Sequence, residues 1–177
     1  MTVTVERFTR KTTVIFRNLY PLYLHDLSAY DATVRPNRFG VIEPEPDVRT
    51  LSEQAEQQTP WLTHADLYAF LIRADGLPAG FCLVSTPPHA PADIDYLLHE
   101  FFLLHFARHQ GVGALAVQAV CGLLPGSWEL NVLPNNQPAL RFWRKTLKPY
   151  NALETFGPTL FDEDMTIFRF TVPSVHT

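Results

Sequence analysis

Glu100-Phe101-Phe102-Leu103-Leu104-His105-Phe106-Ala107-Arg108-His109-Gln110-Gly111-Val112-Gly113 runs from a β-favouring apolar stretch into a glycine turn, and the apolar run Ala114–Leu124 follows it directly. An Arg-x-x-Gly-x-Gly turn that opens a helix presents several backbone N–H groups to one anion, because first-turn donors have no acceptor within the helix and glycine lets the backbone approach closely. Such a turn suits a pyrophosphate. It lacks the Gly-Lys-Ser/Thr ending of a Walker loop and the earlier glycine of the dinucleotide fingerprint Gly-x-Gly-x-x-Gly. A Gly-x-Gly at a helix start is also ordinary turn chemistry, so the flanking elements decide its meaning.

Thr2–Phe8 alternates as a first strand, and Val14–Leu27 carries apolar residues at helical spacing with Pro21 expected to kink it. Arg35–Asp47 reads as a proline-rich acidic loop, and Val48–Gln58 as a second helix stopped by Thr59-Pro60. Leu67–Arg73 and Gly80–Thr86 form a hairpin through Asp75-Gly76, and Asp93–His105 is a longer strand. Val112–Leu124 is a helix ended by Pro125-Gly126, Ser127–Leu133 a strand, Gln137–Leu147 a helix and Met165–Val172 a last strand. This order predicts an α/β (α+β) fold with helices on both faces of a sheet and a ligand at a strand's end.

Composition narrows the partners. The chain has 177 residues and no composition break, so residues 1–177 are expected to form a single domain. A net charge of −4 without basic runs among aromatics argues against nucleic acid. No segment has the length of a membrane span and Met1–Arg10 has no signal-like pattern, so a cytoplasmic protein is expected. Cys82 and Cys121 lie in apolar runs, as buried reduced thiols do. His105 and His109 straddle a strand end and a turn with no third ligand nearby, so no metal is expected.

With these elements placed, the chain resembles the GNAT N-acetyltransferases, which move acetyl from acetyl-CoA to an amine. The segment Glu100–Gly113 is similar to that family's fourth strand and pyrophosphate loop. Trp128-Glu129-Leu130-Asn131-Val132, followed by Asn135-Asn136-Gln137-Pro138-Ala139-Leu140-Arg141-Phe142-Trp143, is similar to its fifth strand and Asn-x-x-Ala helix start. The resemblance is nearest to members with Glu-Phe-Phe-Val and Phe-Trp-Arg motifs. It implies a mixed, mostly antiparallel sheet of six to seven strands with the fourth and fifth splayed, and acetyl-CoA as cosubstrate. It also implies that the backbone of Phe101, Phe102 and Leu103 lies along the pantetheine. Arg108, His109, Gln110, Gly111, Val112, Gly113 and Ala114 would hold the pyrophosphate, with Asn136 and Trp143 beside CoA. Homodimers are common in the family.

Acetyl transfer needs a neutral amine, hence a proton acceptor. His99 and Glu100 are the candidates, Glu100 favoured; neighbours on a strand face opposite ways unless a bulge intervenes. Tyr23 and Asp26, beside Tyr20, Tyr30 and Asp31, fall where such folds form acceptor pockets, and the loop acids Glu43, Glu45 and Asp47 could draw in a cation. Two residues depart from the family pattern. Trp143 stands where the usual acid is a tyrosine, and Asn131, assigned to the acceptor side, stands where ribosomal-protein acetyltransferases carry a glutamate. Two functions fit this pattern: an N-acetyltransferase acting on a small-molecule or peptide amine, and an acyl-CoA-binding module without catalysis.

Overall fold

The structure, a computed structural model, describes residues 1–43 and 46–174. Strand β1 (Val3–Arg7) leads into α1 (Thr13–Leu27), the short α2 (Leu51–Gln57) and the single turn α3 (Pro60–Thr63). Then come β2 (Leu67–Ala74), β3 (Leu77–Ser85), β4 (Tyr96–Leu103), α4 (Val112–Leu123), β5 (Gly126–Val132), α5 (Gln137–Thr146), β6 (Leu153–Pro158) and β7 (Asp164–Val172). The seven strands form one sheet in the order β1-β2-β3-β4-β5-β7-β6. Every neighbouring pair is antiparallel except β4 and β5. This is the mixed, mostly antiparallel sheet expected from the sequence.

Both faces are covered. On one, Val112, Ala116, Val117 and Val120 of α4 and Leu140 and Trp143 of α5 pack on Phe70, Trp128, Leu130 and Phe168. On the other, Phe16, Leu19 and Tyr23 of α1 pack on Leu71, Phe81, Leu83 and Phe102. Alternation along β2 to β4 feeds both layers, as a doubly covered sheet requires.

Besides shifts of one to three residues at other strand and helix ends, four segments differ from the sequence reading for an identifiable local reason. Strand β6 is not expected from the sequence: Leu-Glu-Thr-Phe-Gly-Pro has no clean alternation, and it forms because β7 offers a ladder partner to an exposed edge strand. Helix α2 starts at Leu51 rather than Val48, because the Thr50 hydroxyl accepts from the Glu53 N–H at 3.2 Å and caps it there. Pro60 does not simply end that region but opens the further turn α3, having no N–H to lose at a first helical position. Strand β4 is shorter than Asp93–His105: Asp95 turns aside to accept from the Ser127 N–H and hydroxyl, each at 2.8 Å, and His105–Ala107 coils into a 3₁₀ turn. Helix α1 continues without a break through Pro21. At the hairpin, Asp75 (φ 48°) and Gly76 (φ 81°) take the paired left-handed conformations of a tight turn.

Candidate active site

Strands β4 and β5 pair at only three positions, Tyr96 with Trp128, Leu97 with Glu129 and Leu98 with Leu130. Beyond Leu98 the two strands part, and a cleft of about 310 Å³ opens between them. Its wall comes from both layers: the N-cap residue Asn136 with Ala139 and Trp143 of α5 on one face, Tyr23 and Leu27 from α1 on the other, with Asn131 and Val132 of β5 between. Thr159, Phe161, Glu163 and Met165, from the turn and strand after β6, complete it. The gap thus joins the two sides of the sheet.

His99 and Glu100 both line this cleft. They do so because β4 bulges there: Leu83 faces Glu100 while the next residue, Val84, faces Leu98, leaving His99 as the extra residue. Glu100 is the floor. Burial raises its carboxyl to about 8, and the Tyr23 phenol donates to its Oε2. A carboxyl at that value is partly ionised near neutrality, the condition for a general base. His99 is bracketed by the rings of Trp61 at 5.2 Å and Phe161 at 5.5 Å, and its Nε2 lies 3.4 Å from the His89 carbonyl oxygen. Burial lowers its pKa, which keeps the imidazole neutral. Above the pair, burial together with the Glu100 and Glu43 carboxylates holds the Tyr20 phenol protonated.

The glycine loop follows the same, C-terminal end of β4, beyond Leu103. His109 (φ 60°) and Gly111 (φ 81°) both take left-handed conformations, and Gly111 occupies the N-cap of α4. The first helical closure is Leu115 N–H to Gly111 carbonyl at 3.2 Å, so the amides of 109–114 lie ahead of it. A Cβ on Gly111 would meet nothing within 4 Å, so open space lies beside the loop. Gly113 is the opposite case: a Cβ there would stand 2.8 Å from Phe142 Cε2 and 3.3 Å from Leu103 Cδ1. The absent side chain lets α4 close on α5 and β4. Phe101 in turn stacks on Phe142 at 5.7 Å and meets Trp143 edge-on at 5.4 Å, while Phe102 and Leu103 are buried.

Arg108 and Asp26 are placed together and away from the cleft wall. The Arg108 guanidinium donates to Asp26, and its Nε donates to the Leu103 carbonyl oxygen at 2.7 Å. The Gln110 side-chain amide folds back on the Phe106 carbonyl oxygen. Asn136 lines the cleft while its Oδ1 accepts from the Ala139 N–H at 3.1 Å, capping α5. Asn131 Oδ1 is buried and unpartnered among the described residues. Trp143 is 5 % exposed and lines the cleft. Of the acidic loop, Asp47 pairs with Arg38 at 3.1 Å, and Glu45 lies outside the described residues.

The sequence reading does not pick out Trp61, Thr159 or Phe161. Trp61 sits in a one-turn helix, and Thr159 and Phe161 in an irregular turn; no periodicity marks either segment. No helix among the described residues is long and apolar enough to cross a membrane.

The pattern of the acetyltransferase (GNAT) family matches residues 29–148, and the chain belongs to that family. Solved structures share the whole fold. An acetyltransferase from Thermus thermophilus superposes with a TM-score of 0.68 at 15% identity, covering 97% of this chain and 98% of that one. The PaiA N-acetyltransferase from Thermoplasma acidophilum, in complex with coenzyme A, gives 0.62 at 11% identity over 97% and 99%. AAC(6')-Ib in complex with ribostamycin and coenzyme A gives 0.67 at 15% identity over 97% and 94%. No curated protein matches the chain in sequence.

Proposed function

We propose that this protein transfers acetyl from acetyl-CoA to the primary amine of a small molecule or peptide by direct attack, with Glu100 as the proton acceptor. The observation that carries this is the Glu100 carboxyl, raised to about 8, at the point where β4 and β5 separate into a cleft open to both faces. The cosubstrate supplies a thioester whose carbonyl carbon exchanges its sulfur for the amine nitrogen. The loop fits the pyrophosphate end: its amides at 109–114 precede the first helical closure, open space lies beside Gly111, and a helix start favours negative charge. The free edge of β4 at Phe101, Phe102 and Leu103 would receive the pantetheine amides. Asn136 and Trp143 would border it from α5.

On the acceptor side, ionised Glu100 takes a proton from the bound ammonium and leaves the nitrogen lone pair free to attack. Tyr23 orients that carboxylate. The charged side chains lining the cleft among the described residues are Asp31, Glu100 and Glu163, with no Lys or Arg, which suits a cationic amine. Asn131, with an unpartnered buried oxygen, is assigned to accept a donor from the acceptor. His99, neutral and hydrogen-bonded elsewhere, would act as a reserve base through water. Buried thiols at Cys82 and Cys121 accord with a cytoplasmic setting.

Trp143 favours a second reading. An indole N–H is a donor but no acid, so the chain has no tyrosine at the place where the family's leaving thiolate is usually protonated. An acyl-CoA-binding module without turnover would tolerate that loss. Incubating the protein with acetyl-CoA and a panel of primary amines, and following free thiol, separates the two: amine-dependent release supports transfer, and thermal stabilisation by acetyl-CoA without release supports the module. Absence of stabilisation at saturating acetyl-CoA overturns both.

A further inference from the structure

We propose that Asp26 is a positioning residue for the cofactor loop: by holding Arg108 it ties the glycine turn to α1, and so sets the affinity for CoA without touching it. This rests on the reading of 109–114 as the pyrophosphate site. All three guanidinium nitrogens of Arg108 face protein groups. Nε donates to the Leu103 carbonyl oxygen at 2.7 Å, Nη2 donates to Asp26 Oδ2, and Nη1 lies 3.3 Å from His105 Nε2. His105 Nε2 is itself 3.6 Å from Asp26 Oδ1, and the guanidinium carbon lies 5.8 Å from the centre of the Phe102 ring. The side chains of Arg108 and Asp26 are 31% and 28% exposed, so the pair is partly shielded from water. The cation is thereby matched before any phosphate arrives, and the backbone amides are left as the anion-binding groups.

The placement gives the pair its consequence. Arg108 immediately precedes the turn that contains the two left-handed residues His109 and Gly111. Such a turn costs free energy unless its surroundings hold it. Tyr23 and Asp26 are three residues apart, hence on one face of α1. The first grips Glu100 and the second grips Arg108, so one helical turn fixes the catalytic carboxyl and the cofactor loop relative to each other.

The alternative, in which Arg108 binds the phosphates directly, predicts the opposite sign for one substitution. Asp26→Ala would then release the guanidinium and leave CoA affinity unchanged or higher. Positioning predicts affinity about tenfold lower, the loss expected when one charge-assisted anchor is removed. Titration calorimetry with CoA on the wild type, Asp26→Ala and Asp26→Glu decides it. The expected result is about tenfold weaker binding for Asp26→Ala and recovery to within about threefold for Asp26→Glu. The KM for the acceptor amine should stay unchanged in Asp26→Ala while the KM for acetyl-CoA rises. Should Asp26→Ala not fold, Arg108→Gln is measured instead, and crossing it with Asp26→Asn should give losses that do not add. Equal or tighter CoA binding by Asp26→Ala, or equal weakening of both substrates, overturns the positioning role. Failure of the wild type to bind CoA overturns the site reading itself.

Discussion

The Tyr23 phenol donates to Glu100 Oε2, joining α1 to β4 at the point where β4 leaves β5. The bond ties a helix of one core layer to the carboxyl that β4 sets at the floor of the gap. A phenol donor favours the ionised form of a carboxyl, and burial disfavours it; here burial prevails and the group sits at about 8.

Replacing Glu100 by glutamine keeps the size and removes the base. Turnover should fall about 10²-fold, the usual worth of a positioned general base. In the wild type, kcat/KM should rise with pH along a limb centred near 8, since the active form is the carboxylate. That limb should be missing from Glu100→Gln. An unchanged turnover in the variant would remove Glu100 from the chemistry.

The same shift has a stability consequence. Below the ordinary value of 4.5, Glu100 is protonated in native and unfolded chains alike. Between 4.5 and about 8 the unfolded chain ionises it while the native state holds it neutral, so the stability it contributes falls as pH rises through that window. Glu100→Gln should therefore melt roughly 5 °C higher than wild type at pH 8 and close to wild type at pH 4, if both remain folded there. Paired thermal melts at the two pH values check this.

Tyr23→Phe removes the donor but not the ring, which packs on Phe81 at 5.6 Å and Phe102 at 6.0 Å. The pH limb should then move up by about one unit, lowering kcat/KM roughly tenfold at pH 7 and much less above pH 9. A uniform loss at every pH would make Tyr23 an acceptor contact instead.

Much of the site is legible in the sequence because it rests on local chemistry. The Gly111 turn, the Asn136 cap and the Asp75-Gly76 hairpin each need particular residues at particular places, and the sequence shows them. The choice between His99 and Glu100 is not legible. A strand pattern assigns neighbours to opposite faces, whereas the bulge across from Leu83 and Val84 brings both to one cleft, and that bulge is a property of two strands. Asp26 illustrates the same limit. Its partner Arg108 is 82 residues away, and helical spacing alone cannot distinguish a carboxylate facing an acceptor pocket from one facing a guanidinium. Edge strand β6 is hidden for want of alternation, and with it Phe161 beside His99.

Gly111→Asp tests the anion cradle. Gly111 holds φ 81° with open space beside it, so an aspartate fits sterically, tolerates the left-handed conformation better than most residues, and sets a negative charge beside the loop amides. CoA affinity should fall at least about 100-fold, the size of like-charge repulsion in a shielded site. Gly111→Ala, carrying the strain without the charge, should lose far less. Calorimetry on the two variants separates charge from strain, and comparable affinities would show that no anion sits at this turn.

Gly113→Ala reports on the joint between α4 and α5 rather than on charge. The new methyl would lie 2.8 Å from Phe142 Cε2 and 3.0 Å from Cζ, closer than carbon atoms pack, so the Phe142 ring must move. That ring stacks on Phe101 with an interplanar angle of 19°, and Phe101 lies in the stretch of β4 assigned to the pantetheine arm. Overpacking of this kind costs about 1–3 kcal/mol. The melting temperature should therefore drop by roughly 2–10 °C, and the KM for acetyl-CoA should rise along with it. Gly122, on the same helix, has nothing within 4 Å of its own missing Cβ, so Gly122→Ala should hold or raise stability by removing unfolded-state entropy. If the two alanine variants melt alike, the close approach at Gly113 does not constrain the site.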